Sequence, residues 1–393
     1  MPSWWSDSTE GVGQGGVLLN DLICQQCQNT YPLSAPVWRC ECGGLLDIRF
    51  KARFDRERIS AREPTLWRYR EALPISSDAC ITTFGEGYTP LIPVTVAGRS
   101  ILVKQDQLFP TGSYKDRGAA MLISKAAEIG ITHVVEDSSG NAGCAIAAYC
   151  ARAGISCDIY VPEDTSDAKL AQIRHYGAEL HRIPGPREAT ARAALEAAET
   201  TYYASHSWNP FFFHGTKTFA FEVCEQLGWQ APDSVVVPVG NGTLLLGCAI
   251  GFGELRAAGV IEAVPKLIGV QSSGCAPLAA AHSAGSSQAQ PIQTTPTLAE
   301  GIAIAEPARG ADILTAIRDS GGHFVCVEED EIADALRSMG RQGLYVEPTA
   351  AATIAGVQTY CASAPVEEKI VTVCTGTGLK STEKMLKLLK GAP

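Results

Sequence analysis

The chain has 393 residues, of which 46% are hydrophobic and 19% charged, and its formal net charge is −10. This length exceeds one ordinary small domain and suits two packed α/β lobes with a short appendage. An acidic chain without clustered Lys and Arg is a poor nucleic-acid binder, so small-molecule chemistry is favoured. The sequence shows no long apolar run and no basic, apolar leader. We therefore expect a soluble cytoplasmic protein with no membrane span and no membrane partner.

The first part of the chain differs in composition from the rest. Four cysteines lie between residues 24 and 42, and a charged connector over 51–63 separates them from the remainder of the chain. We predict an N-terminal extension over 1–63. From about residue 80, short β-branched runs alternate with Ala-rich helical stretches, which is typical of βαβ units around a mostly parallel sheet. The other ten of the 14 cysteines stand singly, many among apolar residues, and most are predicted to be buried thiols.

Two of the predicted βαβ units carry a polar turn after a strand. One runs from a strand at His133–Glu136 through a turn at 138–141 into a helix over 142–153. Another places a strand at Ser234–Pro238 before a turn at 240–243. Each turn follows the carboxyl end of its strand, which is where open α/β sheets bind ligands. Both turns are therefore candidate binding sites.

A lysine stands at the start of a predicted helix. Lys115 lies in the run PTGSYKDRG over 110–118, a polar turn that leads into an apolar helical stretch. A helix N-terminus disfavours the ammonium form, which suits a lysine to act as an amine nucleophile on an aldehyde. The alternative is a solvated surface charge, as most lysines are.

Three polar turns offer groups for an anion or a polar ring. The turn at 239–243 can direct backbone N–H groups and a helix dipole at a phosphate, and it matches neither GxGxxG nor GxxxxGK[ST]. The turn with Ser138, Ser139 and Asn141 suits a carboxylate or phenolate oxygen. Thr375 follows a strand over 369–374, and its hydroxyl could meet a ring nitrogen. Plain turns and helix caps are the alternatives at all three places.

Six segments stand in the order shown by the threonine synthase branch of the fold-type-II enzymes that use pyridoxal 5'-phosphate (PLP). The chain closely resembles that branch over nearly its whole length. The resemblance implies an α/β fold of the tryptophan synthase β-like type, with two parallel-sheet α/β domains and a small N-terminal four-cysteine, zinc-ribbon-like head. The segments are WRYR at 67–70, GEGYTPL at 85–91, PTGSYKDRG at 110–118, SSGNAG at 138–143, PVGNG at 238–242 and CTGTGLK at 374–380.

The resemblance implies a role for the lysine and for each polar turn. Lys115 would be the catalytic residue that forms the internal Schiff base, Asn141 would hydrogen-bond the PLP ring oxygen, and Thr375 would face the pyridine nitrogen. The residues that would hold the phosphate are Val239, Gly240, Asn241, Gly242 and Thr243. The predicted substrate contacts are Ser113, Ser138, Ser139, Asn141, Ala142 and Lys217, of which Ser138, Ser139 and Ala142 would bind the α-carboxylate.

The implied function is that of a PLP-dependent, threonine-synthase-like lyase acting at Cβ or Cγ of a small amino acid. It would convert O-phosphohomoserine to threonine if it is a true threonine synthase. The freed Lys115 amine would remove the Cα proton. A neutral Thr375 hydroxyl cannot favour a protonated ring nitrogen as an aspartate would, so we expect elimination and replacement rather than transamination.

Three alternatives to this function stay open. Two are enzymes: a threonine or serine ammonia-lyase, and a β-replacement enzyme such as a cysteate or cysteine synthase. The third, from another class, is a catalytically silent binding protein that keeps the fold, because a fold alone does not fix a function.

The chain departs from the threonine synthase pattern at two positions. The family's Asn-Pro-Tyr-Arg stretch is Asn-Pro-Phe-Phe here, so Phe212 occupies the position of an arginine that helps to bind the substrate phosphate. Thr377 stands where the family has a histidine in its TGHG turn. Both differences favour a substrate with a smaller or less charged leaving group than phosphate.

The four N-terminal cysteines resemble the zinc-ribbon-like head of some threonine synthases. Four thiolates can form a closed tetrahedral zinc site, although the second pair is CxC rather than CxxC. Free or vestigial thiols are the alternative. The predicted zinc ligands are Cys24, Cys27, Cys40 and Cys42.

The resemblance also implies a division of the chain and an oligomeric state. Residues 1–63 would form the extension with the four-cysteine head. Residues 64–124 and 225–393 would form the large PLP-binding domain, and 125–224 a small mobile domain. We expect a homodimer.

Overall fold

The computed structural model describes residues 20–185 and 187–390, with side chains through 388 except at 186–188. The described chain divides into two compact units, each built from separate segments. The first unit takes the residues up to Tyr88, then Lys115–Thr218 and Gly253–Ala258. The second takes Thr89–Tyr114, Phe219–Phe252 and the residues from Gly259 onward.

The first unit begins with a small antiparallel sheet that carries the N-terminal cysteines. Its strand order is β2-β1-β3, and Asp21 pairs with both Pro32 and Arg49. Trp38 fixes this head to the rest of the unit, because its indole N–H donates to the Ala198 carbonyl at 3.1 Å. The elements are β1 (Asp21–Cys24), β2 (Thr30–Pro32), β3 (Leu46–Arg49) and a short helix α1 (Arg56–Ala61).

A four-stranded parallel sheet forms the rest of the first unit. Its central strands are buried and its helices are rich in alanine, so sheet and helices close over one apolar core. The strand order is β8-β7-β6-β9. The elements are α2 (Lys115–Glu128), β6 (His133–Glu136), α3 (Asn141–Ala153), β7 (Ser156–Pro162), α4 (Asp167–His175), β8 (Glu179–Ile183), α5 (Arg187–Ala197), β9 (Tyr202–Tyr203) and α6 (Pro210–Thr216).

The second unit is a six-stranded sheet of order β12-β11-β10-β13-β5-β4, in which only the β4–β5 pair is antiparallel. Strand β10 is buried along its whole length, as expected for a central parallel strand with helices on both faces. The elements are β4 (Leu91–Val96), β5 (Arg99–Lys104), α7 (Thr218–Gln226), β10 (Ser234–Pro238), α8 (Thr243–Ala257), β11 (Lys266–Ser272), α9 (Pro277–Ser283), α10 (Gly310–Asp319), β12 (His323–Val327), α11 (Glu329–Arg341), α12 (Pro348–Cys361), β13 (Ile370–Val373) and α13 (Thr382–Lys390).

The predicted α/β fold with parallel sheets is confirmed. The strands predicted at His133–Glu136 and Ser234–Pro238 have those bounds in the structure, and the helix predicted over 142–153 begins one residue earlier. No helix within the described residues has both the length and the apolar character needed to span a membrane. Most of the ten cysteines outside the head are buried.

The predicted domain bounds stay a prediction, and the compact units group the chain in another way. Residues 64–88 and 115–124, predicted for the large domain, belong to the first unit together with the N-terminal head. The reason is packing, because Leu66 and the alanines at the start of α2 share one apolar core with Leu22 and Trp38. The mobility of residues 125–224 stays a prediction.

Candidate active site

Lys115 is the first residue of α2, in the first unit. Its Nζ atom lies 5.6 Å from the centroid of the Phe212 ring. The helix continues through Asp116 and Arg117, both fully buried, and the Arg117 guanidinium donates to the Thr218 hydroxyl at 3.0 Å. These buried contacts fix the first turn of α2 and therefore the backbone that carries the lysine.

The turn over 138–141 joins β6 to α3 in the same unit. Gly140 is the N-cap residue of α3, and its N–H donates to the Ser138 hydroxyl at 3.2 Å. A Cβ on Gly143 would lie 1.8 Å from the Ser138 carbonyl oxygen, so the turn folds back closely over the first turn of the helix. The first N–H groups of a helix have no partner within it, which suits this turn to an anionic oxygen.

Phe212 and Lys217 lie in or next to α6, which begins after the N-cap Asn209. Phe212 is fully buried and packs on α2, since a Cβ on Gly118 would lie 2.2 Å from its ring. The predicted substrate contact Lys217 is also fully buried. Its ammonium bonds to His214 Nδ1 at 2.9 Å and to Glu254 Oε1 at 2.8 Å. Burial lowers the pKa of Lys217 and, more strongly, that of His214.

Two residues that the sequence analysis did not select lie beside this part of the site. Glu136, the last residue of β6, is fully buried, and its Oε1 lies 2.6 Å from His206 Nδ1. The loop that follows β9 brings the histidine there, since Ala204 N–H bonds to the Val135 carbonyl at 2.9 Å. Burial raises the pKa of Glu136 to about 8, although the Lys115 charge opposes the shift. The sequence signal that could have indicated this site is the acidic Glu136 at the end of an otherwise apolar strand.

The turn over 239–243 lies in the second unit, between β10 and α8. Gly242 has a φ of +70°, and a Cβ there would lie 2.3 Å from Ile313. A Cβ on Gly240 would lie 3.0 Å from the backbone of Ile302. Position 242 therefore favours glycine for its left-handed backbone, Gly240 is tightly packed, and α8 begins at the last residue of the turn, Thr243. A glycine-rich turn at a helix N-terminus lets backbone N–H groups approach an anion closely, which suits a phosphate group.

Tyr114 joins the two polar turns of the second unit. Its N–H donates to the Thr375 carbonyl at 2.9 Å, and its hydroxyl lies 2.7 Å from the Thr243 hydroxyl. The preceding residue, Ser113, forms a bridge with Gly376. Its buried hydroxyl oxygen has no hydrogen-bond partner among the described residues. An unsatisfied buried hydroxyl indicates a place for a polar ligand.

Glu347 is a further residue that the sequence analysis missed. The buried Thr375 hydroxyl donates to Glu347 Oε1 at 2.9 Å, and a Cβ on Gly376 would lie 2.5 Å from the same carboxylate. Glu347 is the N-cap residue of α12, where the helix dipole favours a negative charge. The hydroxyl proton is thus directed to the carboxylate, and the Thr375 oxygen offers a lone pair on its other side. Thr377 only caps the next turn by accepting from Leu379 N–H at 3.4 Å.

The four N-terminal cysteines converge in the head of the first unit. Their sulfur atoms all lie within 4.8 Å of one another. The Cys24–Cys42 and Cys27–Cys40 pairs are 3.5 and 3.4 Å apart, close to the ~3.8 Å edge of a tetrahedron with ~2.3 Å zinc–sulfur bonds. Burial raises the pKa of Cys40, but hydrogen bonds from the Tyr31 hydroxyl and the Cys42 backbone outweigh it and bring the pKa to about 6. The CxC pair thus does not prevent a four-sulfur geometry.

Comparison with known proteins agrees with the motifs. A family model described as "Pyridoxal-phosphate dependent enzyme" matches residues 82–376. The chain is 35% identical over 379 residues to a threonine synthase of Methanocaldococcus jannaschii, covering 93% of this chain and 94% of the relative. It is 37% identical over 326 residues to a threonine synthase of Synechocystis sp., covering 80% and 82%.

Solved structures show the same fold. A serine racemase from Dictyostelium discoideum superposes with a TM-score of 0.63 and 26% identity, over 74% of this chain and 92% of that chain. The resemblance inferred from the six segments is confirmed.

Proposed function

Because the chain belongs to the pyridoxal-phosphate-dependent enzymes, in their threonine-synthase-like branch, we propose that it removes a group from Cβ or Cγ of a small amino acid, with Lys115 as the residue that carries the cofactor. The observation that carries the proposal is the position of Tyr114. Its backbone and hydroxyl bond to the turns of Thr375 and Thr243, and Lys115 is the next residue of the chain. Tyr114, the chain neighbour of the lysine, thus contacts both turns proposed to hold the PLP phosphate and ring nitrogen.

Each part of the cofactor has a candidate partner in this chain. The turn over 239–243 would hold the phosphate through backbone N–H groups, Asn141 would bond the ring oxygen, and Thr375, which is bonded to Glu347, would face the ring nitrogen. When bound, PLP supplies an electrophilic carbon for the substrate amine and a conjugated ring that accepts the electron pair released at Cα.

The chain's own groups would position the substrate and move its protons. Ser138, Ser139 and Ala142, at the N-terminus of α3, would bind the α-carboxylate through hydroxyl and backbone N–H groups. The unsatisfied hydroxyl of Ser113 would donate to a substrate oxygen. The Lys115 amine would remove the Cα proton and hold it at Nζ. The Lys217 ammonium, which was predicted to contact the substrate, is already bonded to His214 and to Glu254.

Lys115→Ala tests the cofactor assignment. We expect the purified variant to lose the visible absorbance of the holoenzyme, and borohydride reduction of the wild type to leave the cofactor mass on the peptide that contains Lys115. Lys51→Ala, at an exposed lysine, is the control and should keep both signals. An Ala variant that retains covalently bound cofactor contradicts the assignment.

The reaction is tested by a panel of amino acids. Similarity to threonine synthases over nearly the full chain supports this branch over an ammonia-lyase, a β-replacement enzyme or a silent binding protein. Product analysis distinguishes these functions: threonine from a homoserine derivative supports the threonine-synthase-like branch, and a 2-oxo acid with ammonia from serine or threonine alone contradicts that branch in favour of an ammonia-lyase.

We also propose one structural zinc on Cys24, Cys27, Cys40 and Cys42, a cytoplasmic location and a homodimer. The sulfur geometry supports the zinc, and family resemblance supports the dimer. Light scattering should give twice the chain mass of 41.6 kDa. A mass equal to that of one chain would exclude the dimer.

A further inference from the structure

A buried acid lies beside the reactive lysine. Glu136 is fully buried, its Oε1 contacts His206 Nδ1 at 2.6 Å, and its Oε2 has no hydrogen-bond partner among the described residues. Burial raises the pKa of this carboxyl to about 8, against the effect of the Lys115 charge. Near neutral pH the carboxyl therefore carries a proton that it can donate.

The side chain that lies next to both Lys115 and His206 is the apolar ring of Phe212. The Phe212 ring centroid is 5.6 Å from Lys115 Nζ and 6.2 Å from the His206 ring, which it meets edge to face. The ring has little freedom to move, because it fills the space that a side chain on Gly118 would need. Phe212 offers no guanidinium to a phosphate.

The two kinds of leaving group make opposite demands on a site. A phosphate departs as an anion without taking up a proton, and it is best bound by paired donors with positive charge. A hydroxyl or ester oxygen is a poorer leaving group, and its departure is assisted by a general acid. A buried acid beside Phe212, which stands at the position of the family's phosphate-binding arginine, matches the second kind.

We propose that Glu136, held in place by His206, donates its proton to the departing oxygen, and that the substrate is a small amino acid with an unphosphorylated oxygen substituent, a hydroxyl or ester, on Cβ or Cγ. This inference rests on the proposed lyase function. As the carbon–oxygen bond breaks, its electron pair goes to the oxygen, which takes the Glu136 proton. For a substituent on Cβ, the electron pair of the Cα–H bond, whose proton goes to Lys115, forms the Cα–Cβ double bond. For a substituent on Cγ, the Cβ–Cγ double bond forms from the electron pair of a Cβ–H bond, whose proton the Lys115 amine takes after it has given up the Cα proton. Neither case needs an oxidant or a reductant.

His206 can return a proton from solvent to Glu136 after Glu136 has donated its own. It is the more exposed member of the pair, with 10% of its side chain accessible against none for Glu136. The other titratable groups that face the pair are Lys115, Asp137 and Tyr203, and burial with the charges of Asp137 and Glu136 raises the pKa of Tyr203. Glu136, Asp137 and His206 also have ligand atoms within 4.8 Å of one another, so a bound metal ion is a competing outcome.

The test compares leaving groups in the wild-type holoenzyme and in Glu136→Gln, which keeps the size of the side chain. We measure kcat/KM from pH 6 to pH 10 for O-phosphohomoserine, homoserine and O-acetylhomoserine, and amino-acid affinity from the change in visible absorbance. We expect the wild type to prefer an unphosphorylated substrate at least ~10-fold. Its activity should fall above pH ~8 as the acid ionises.

The variant should lose ~100-fold on the hydroxyl substrate, the low end for a general acid, and less on the acetyl ester, whose leaving group needs less protonation. Amino-acid affinity should stay within ~3-fold. Glu199→Gln, at an exposed carboxylate, is the control. If the Gln variant binds cofactor poorly, Glu136→Asp provides the comparison, since it keeps an acid and should keep the dependence on leaving group.

Three results would overturn the inference: a preference for O-phosphohomoserine, an equal loss on all substrates, or one metal ion per chain that Glu136→Gln removes. The proposed lyase function is judged separately. If the wild type binds no cofactor through Lys115, that function is wrong, whereas a coloured enzyme that responds to amino acids but shows none of the leaving-group effects removes only the role of Glu136.

Discussion

At the scale of single residues, burial decides which ionisable groups are available for chemistry. Glu136 and Lys217 are both fully buried, but Lys217 bonds to Glu254 and His214, while Glu136 keeps one oxygen without a partner among the described residues. Burial raises the pKa of the Glu136 carboxyl despite the nearby Lys115 charge, because an apolar medium disfavours the charged form. The structure therefore favours Glu136 over Lys217 as the residue that acts on a ligand.

The protonation of Glu136 can be measured through folding stability in the cofactor-free protein. Its pKa is about 8 in the folded chain against 4.5 for an ordinary glutamate, so the folded state binds the extra proton between these values. Its contribution to stability is present below pH 4.5 and is lost as the pH rises through 8. We expect Glu136→Gln to gain about 3 to 5 kcal/mol in unfolding free energy relative to the wild type between pH 5 and pH 9.

Urea unfolding at both pH values checks this, with Glu199→Gln as the exposed control. A difference between variant and wild type that does not change with pH would show that Glu136 is already ionised at pH 5 or stays protonated at pH 9.

At the scale of elements, the turns after parallel strands carry the site because glycine lets the backbone approach a ligand closely. Gly242 has a φ of +70°, and a Cβ added there would lie 2.3 Å from Ile313. The next residue begins α8. Gly259 has nearly the same φ, +68°, but nothing lies within 4 Å of its missing Cβ. Comparing alanine substitutions at Gly242 and Gly259 therefore distinguishes the cost of a left-handed backbone from the cost of steric crowding.

We expect Gly259→Ala to cost about 1 to 2 kcal/mol, the strain of a left-handed alanine. Gly242→Ala should cost about 1 to 3 kcal/mol more from overpacking, and it should weaken PLP binding at least ~10-fold. Thermal unfolding and cofactor titration of both variants test this. Equal cofactor affinity in the two would show that the 239–243 turn does not hold the phosphate.

At the scale of the whole molecule, the N-terminal head shares a core with the four-stranded sheet of the first unit. Leu22, Trp38 and Leu46 belong to the same apolar cluster as the helices around that sheet, and Trp38 packs edge to face on Tyr203 at 5.1 Å. The head is therefore part of a compact unit and not an independent appendage. Removal of the proposed zinc should therefore destabilise the whole unit.

Zinc removal tests this coupling. We expect metal analysis to find about one zinc per chain, and expect Cys40→Ser to lose it and to unfold at a temperature at least ~5 °C lower, because structural zinc contributes directly to folding. Cys326→Ser, at an exposed cysteine outside the head, should change neither zinc content nor melting temperature. Zinc-free wild-type protein with an unchanged melting temperature would exclude a structural metal.

Much of the fold and part of the site could be predicted from local patterns. The strand Ser234–Pro238 and the start of α2 at Lys115 follow from β-branched runs, glycine turns and alanine-rich helices, all of which act over a few residues. The compact units could not be predicted in this way, because they depend on which apolar faces pack together. Residues 64–88 join the head through the shared core, and no local signal in those residues specifies their partner.

The sequence by itself determined the α/β class, the lysine at the helix start and the polar turns, because each depends on neighbouring residues. Only the tertiary structure decided which acids support those groups. His206 and Glu136 are 70 positions apart, and Glu347 and Thr375 are 28 apart. Hydrogen bonds across such separations are set by how the chain folds back on itself, and burial then fixes whether each carboxyl holds a proton or a charge.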